Sequence, residues 1–162
     1  MSAERYGVTG TGAIITIRHR HGVFGGLSFR VSLAPGSSSL VFRAARSVVA
    51  GSGGRLYRIG AWLRTDAPGM SVCLRIQEVS PRDPLTAVRT SESCFAPTVK
   101  WKHLILYRRT LARGNKLVFS IYSLGAVSGD SFDLDRFTVA RRVGKHLWKR
   151  VDAAFGDAAE LR

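Results

Sequence analysis

From about Thr11 to Ala140 the chain alternates apolar and polar residues almost everywhere, and glycine-rich turns cut the alternation into short runs. Leu27-Ser28-Phe29-Arg30-Val31-Ser32-Leu33 alternates without a fault before Pro35-Gly36. Along Leu56 to Arg64, Ile59, Ala61 and Leu63 fall on one side, with Arg58, Gly60, Trp62 and Arg64 on the other. Val72, Leu74 and Ile76 oppose Cys73, Arg75 and Gln77, and Leu117, Phe119 and Ile121 oppose Val118, Ser120 and Tyr122. Successive side chains of a strand leave opposite faces of the pleat, so these runs predict strands that bury one face only.

Ala13–Ile17, Leu40–Ala44, Trp101–Tyr107 and Phe132–Val139 are further strand candidates. Gly25-Gly26, Gly51-Ser52-Gly53-Gly54, Pro68-Gly69, Gly114-Asn115 and Ser128-Gly129-Asp130 punctuate them. About eight short strands at this spacing predict an all-β antiparallel sandwich or barrel. No strand–helix rhythm occurs, which argues against a nucleotide-binding α/β fold.

After Ala140 the period changes. Val143, Leu147, Val151, Phe155 and Ala159 recur every four residues, predicting a short amphipathic α-helix that begins near Val143. The expected organisation is a β-sandwich over 1–140 and a C-terminal helix or linker over 141–162. The helix either packs on the sandwich, leads into another domain, or serves self-association. Its Lys145, Lys149 and Arg150 also suit a membrane-surface or acidic-partner contact.

A length of 162 residues suits one domain, and no apolar run reaches the roughly 20 residues of a membrane-spanning helix. Met1 to Gly7 contain no apolar stretch of the kind a signal peptide needs. The chain is therefore expected to be cytoplasmic, or a fragment of a longer extracytoplasmic or cell-surface protein. The formal net charge is +14, and the basic residues spread over the body instead of forming a tail. Such a field favours polyanions: nucleic acid, anionic lipid or acidic polysaccharide. Only five of the basic residues are lysines, and arginine suits bidentate contacts to carboxylate or phosphate, although an Arg-rich codon bias would give the same excess.

Cys73 and Cys94 are too few for a disulfide scaffold or a paired-cysteine zinc site. Across a Ser-, Pro- and Thr-rich connection they either close a disulfide or stand as two buried thiols. The bridge is the expectation, and with it an oxidising compartment.

At Tyr57-Arg58-Ile59-Gly60-Ala61-Trp62-Leu63-Arg64 the pattern resembles the central strand of non-catalytic carbohydrate-binding modules with a galactose-binding-like jelly-roll fold. Gly25-Gly26-Leu27-Ser28-Phe29-Arg30-Val31 is similar to the strand after that family's Gly-rich turn. Trp101-Lys102-His103-Leu104 resembles the opening of a later strand. Gly129-Asp130-Ser131-Phe132-Asp133-Leu134-Asp135-Arg136-Phe137-Thr138-Val139 resembles the closing strand with its paired acids. The four arrive in the family's order and span roughly Thr11 to Ala140. The resemblance implies a jelly roll that binds a glycan without catalysis, and it makes Asp133 and Asp135 candidates for a structural calcium. The family's N-terminal calcium motif is missing, however, and Asp-Leu-Asp-Arg stands where adjacent acids are usual. Neutralisation of the two acids by arginine is accordingly expected in place of calcium, and no other cofactor is implied.

Catalysis would require convergent acids, bases or nucleophiles. His19 and His21 share one face of an early strand without a third ligand nearby, His103 falls in another strand and His146 in the expected helix, and Glu78 lacks an evident acidic partner. Glycan recognition asks for less: a flat aromatic to stack on a sugar ring, with planar hydrogen-bonding groups around it. On the non-core side the alternation puts Trp62 and Tyr122 as platforms, Arg75 and Gln77 as polar clamps, and Arg30, Arg58, Arg64 and Ser120 beside them. These eight form one site if their strands are neighbours. The competing reading of Trp62 is a packing residue covering the sheet under a loop or the C-terminal helix; Trp101 is expected to plug the sandwich end and Trp148 to pack the helix. The expected partner is an anionic poly- or oligosaccharide. A nucleic-acid-binding β-domain and a structural protein-interaction sandwich, with other domains of a longer chain as partners, are the alternatives.

Overall fold

The computed structural model describes residues 8–23, 25–44, 48–67 and 69–151. Over that span the chain is all-β. Its strands are β1 (Val8–Thr11), β2 (Ala13–Arg18), β3 (Ser28–Leu33), β4 (Ser39–Ala44), β5 (Val48–Val49) and β6 (Leu56–Thr65). There follow β7 (Val72–Ser80), β8 (Asp83–Phe95), β9 (Lys102–Arg109), β10 (Lys116–Leu124), β11 (Ser131–Arg142) and β12 (Trp148–Arg150).

They form two antiparallel sheets packed face to face. The first runs β1-β4-β10-β7-β8, with β5 on β10; the second runs β2-β3-β11-β6-β9, with β12 on β11. The chain therefore changes sheet repeatedly. At Gly12 it does so in one residue, with φ +64° between β1 of one sheet and β2 of the other. A Cβ there would lie 2.4 Å from the Ser39 carbonyl oxygen, so this corner requires glycine.

The inward residues of the alternation make the core. Val31, Ile59, Ala61, Leu63, Phe132 and Leu134 from one sheet meet Leu40, Phe42, Leu74, Ile76, Phe119 and Ile121 from the other, all buried. Each large side chain contributes about 1.5–3 kcal/mol by leaving water. One ion pair lies among them. Glu78 and Arg108 are both buried, with Arg108 Nη2 3.3 Å from Glu78 Oε2. The other Glu78 oxygen accepts from the Leu111 amide at 2.7 Å and from Asn115 Nδ2 at 2.8 Å, which ties the β9–β10 loop to β7. Burial works to raise the Glu78 pKa, but hydrogen bonds from Asn115, the Leu111 and Ala112 amides and Arg108 outweigh it and hold it below the ordinary value.

Two features depart from the sequence reading. Period two fails inside β11, where a bulge separates Asp135 from Thr138 and Arg136 adopts φ +47°. The extra residue restores the inward phase, so Phe137 and Val139 join Phe132 and Leu134 in the core. The second departure concerns the expected helix near Val143. β11 runs past Ala140 to Arg142, the Val143 amide donates to the Leu147 carbonyl at 2.9 Å, and Trp148–Arg150 pair with 140–142. Gly144 disfavours a helix, Val143 and Leu147 are exposed instead of buried on one stripe, and the open edge of β11 offers ladder hydrogen bonds. The rest of that expected helix, 152–162, lies outside the described residues.

Candidate functional site

The eight residues proposed from alternation all point away from the core, but they do not form one face. Arg30, Arg58, Trp62 and Arg64 stand on β3 and β6, whereas Arg75, Gln77, Ser120 and Tyr122 stand on β7 and β10 of the opposite sheet. The sandwich core lies between the two groups. Alternation marks a residue as outward without saying which of two outsides it faces, and the chain changes sheet between β6 and β7.

The β7–β10 group forms a closed cluster. The Arg75 guanidinium lies 4.1 Å above the Tyr122 ring and its Nε is 2.6 Å from Glu92 Oε2. Tyr122 accepts from Arg75 and donates its hydroxyl to Glu92. Burial, and then donation to Glu92, raise the Tyr122 pKa; the same hydrogen bond, with Arg75, lowers that of Glu92. Tyr122 is only 4% exposed and Ser120 is buried. Tyr122 therefore serves as a packing residue under Arg75, not as an open platform. Next to it Cys73 and Cys94 oppose each other on β7 and β8, Cα atoms 4.0 Å apart, and form the expected disulfide.

The outer face of the β2-β3-β11-β6-β9 sheet is different in kind. Asp133 stands opposite Arg30 on one side and Arg64 on the other. Arg64 Nε lies 2.9 Å from Asp133 Oδ2, Arg18 Nη1 reaches the same oxygen at 3.4 Å, and Arg30 Nε is 3.9 Å from Oδ1. Arg30 also reaches Asp66 at 2.6 Å, and Asp66 is held below the usual carboxylate pKa by that hydrogen bond, then by the charges of Arg30, Arg64 and Arg18. Asp133 is 3% exposed and surrounded by guanidinium groups. Asp135 differs: its carboxylate accepts the Val23 amide at 2.7 Å. A calcium on these two acids would have to displace both arrangements. Among the described residues, the one group of three candidate metal ligands is Cys73, Glu92 and Cys94, and its sulfurs are spent on the disulfide.

Aromatic rings sit among these arginines. Trp62 stacks on His103 of the neighbouring strand, centroids 4.9 Å apart and planes 14° from parallel. Arg64 lies 4.6 Å over Trp101, and Arg58 lies 4.6 Å over Trp148, whose ring is 5.9 Å from half-exposed Tyr107. Gly60 leaves room in the middle: a Cβ there would meet His103 Nε2 at 3.1 Å and Thr138 Oγ1 at 3.2 Å. Partial burial, and then the Arg58 charge, lower the His103 pKa.

Sequence reasoning therefore missed Arg18, Trp101, His103, Tyr107 and Trp148 as members of this face. His103 and Tyr107 were open to it, since they share one phase of the Trp101–Tyr107 run. Trp148 was not, because its place depends on β12 pairing with β11.

No family model matches the chain, and no curated protein does. Solved structures share its sandwich. The enzymatically active domain of bacteriophage CBA120 tailspike protein 4 superposes with a TM-score of 0.64 at 11% identity, over 83% of this chain and 19% of that one. The Clostridium thermocellum xylanase 10B structure, which holds a CBM22-1 module and a GH10 module with xylohexaose, gives 0.63 at 16% identity, over 86% of this chain and 27% of that one. The CBM22-1 xylan-binding domain of Paenibacillus barcinonensis Xyn10C gives 0.62 at 16% identity, over 82% and 84% of the two chains. The chain thus spans about a fifth and a quarter of the first two. The fold is that of β-sandwich carbohydrate-binding modules. No helix among the described residues is long and apolar enough to cross a membrane.

Proposed function

We propose that this chain is a non-catalytic carbohydrate-binding module for an anionic poly- or oligosaccharide, with its site on the outer face of the β2-β3-β11-β6-β9 sheet. One observation carries the reading: on that face guanidinium groups and aromatic rings alternate from Arg64 and Trp101, through Trp62 and His103, to Arg58, Trp148 and Tyr107. Rings stack on the C–H face of a pyranose, and guanidinium groups bind carboxylate or sulfate bidentately. Arg18, Arg30 and Arg64 bring three positive charges to Asp133 and exposed Asp66, leaving the face cationic. The shared fold with xylan-binding domains supports the class of ligand, and the disulfide supports an extracytoplasmic or cell-surface setting within a longer assembly.

Affinity electrophoresis through gels containing neutral xylan, a uronate-bearing xylan or a sulfated glycan tests the reading, with a single-stranded oligonucleotide titrated in parallel. Retardation by the acidic glycans, lost in Trp62→Ala, is the expected result. Tight oligonucleotide binding without glycan retardation would replace it with the nucleic-acid reading.

A further inference from the structure

The two ends of the sandwich differ in composition. At one end four segments converge: 48–56, 78–89, 108–116 and 141–147. The Ala50 amide donates to the Asn115 carbonyl and the Gly54 amide to that of Thr110, both at 2.8 Å. The Leu111 amide reaches Glu78 at 2.7 Å, and a Cβ on Gly51 would lie 3.7 Å from the Arg141 guanidinium.

Each segment carries an exposed aliphatic side chain: Val49, Leu85, Leu111 and Leu147. Leu85, on the β7–β8 hairpin, is 95% exposed, and Leu147 is 65% exposed. Single exposed apolar residues need no explanation, but four on separate segments tied together at one end mark an interaction surface. The segments are also basic. Arg82, Arg89, Arg109, Arg113, Lys116 and Lys145 are exposed, and among the described residues none of them is in an ion pair. The four segments contain two acids, and both are spent: Glu78 on Arg108, and Asp83 on the amides of Leu85 and Thr86.

We propose that this end docks on an anionic phospholipid bilayer, with the aliphatic tips at the headgroup–acyl boundary and the basic residues on the phosphates. A lipid surface is a partner that takes both features at once. The same segments contain no Phe, Tyr or Trp, which removes the stacking that single-stranded nucleic acid or a sugar ring would use. A second copy brought end to end would set like charges together. The surface uses side chains other than those of the proposed glycan face, whose Tyr107 and Trp148 adjoin two of the segments in sequence, and it does not depend on that face binding a glycan.

Co-sedimentation of the full chain with vesicles of phosphatidylcholine alone, or with 30% phosphatidylglycerol, tests the proposal. Binding to the anionic vesicles alone is expected, falling at least about tenfold in Leu85→Asp and in Arg82→Glu/Arg113→Glu, with unchanged melting temperature and glycan retardation. Absence of binding, equal binding to both vesicles, or anionic binding that neither variant weakens would overturn it. So would a duplex oligonucleotide bound by the same residues while vesicles stay unbound.

Discussion

Arg64 and Asp133 face each other across β6 and β11, with Arg64 Nε 2.9 Å from a carboxylate that is almost wholly buried. Arg18 and Arg30 approach the same acid from β2 and β3. One acid thus fixes the position of three arginines, each about a quarter exposed, and holds them as a pre-arranged cationic patch. On the proposed reading Asp133 orders the patch while the arginines meet the ligand, which would link stability to binding.

Asp133→Asn removes the charge that holds these guanidinium groups together. A loss of about 2 kcal/mol in unfolding free energy is expected, in line with hydrogen bonds to a charged group. Asp66→Asn, on the exposed side of Arg30, should cost under about 1 kcal/mol. Urea unfolding of the two variants compares them directly.

Trp62→Ala and Tyr107→Ala should each weaken glycan binding by about 1 kcal/mol or more, roughly fivefold, while the fold persists. Tyr122→Phe should behave in the opposite way. It loses the hydroxyl bond to Glu92 and about 1 kcal/mol of stability, with glycan affinity unchanged. Titration calorimetry beside thermal melts separates the two effects; equal glycan losses at Trp62 and Tyr122 would contradict the placement of the site.

Affinity for an acidic glycan should fall as salt rises, since the screening length contracts from about 10 Å at 0.1 M to about 3 Å at 1 M. A neutral xylan should show little of this dependence. Equal salt response for both ligands would argue against recognition of charge.

The Cys73–Cys94 bond closes a connection of 21 residues around the β7–β8 hairpin. By chain entropy its reduction should cost about 3 kcal/mol. Melting with and without dithiothreitol measures this, and the Cys73→Ser/Cys94→Ser double variant should melt like the reduced protein.

Glu78 has a lowered pKa in the folded state, so the folded chain binds its proton less readily than the unfolded one. Its contribution to stability is complete above the unfolded carboxyl pKa of about 4.3 and is lost as pH falls through the folded value. Glu78→Gln should be less stable at neutral pH and show a shallower decline on the acid side. Denaturant midpoints from pH 7 to pH 3 record both.

The alternation of Leu27–Leu33, Leu56–Arg64, Val72–Gln77 and Leu117–Tyr122 identified strands and their inward residues, because the direction of a side chain from a strand is a local property of the backbone. It also selected Arg30, Arg58, Trp62 and Arg64 as outward residues of what became the candidate face. It carried no information on partners. Arg75, Gln77, Ser120 and Tyr122 have the same outward phase, yet β7 and β10 joined the other sheet and set them on the far side of the core. The bulge at Arg136, the strand at Trp148–Arg150 and the three arginines gathered on Asp133 likewise come from pairings between distant segments. Period two fixes which way a side chain points. Its neighbours across the strand are settled only by packing two sheets so that both apolar faces leave water together.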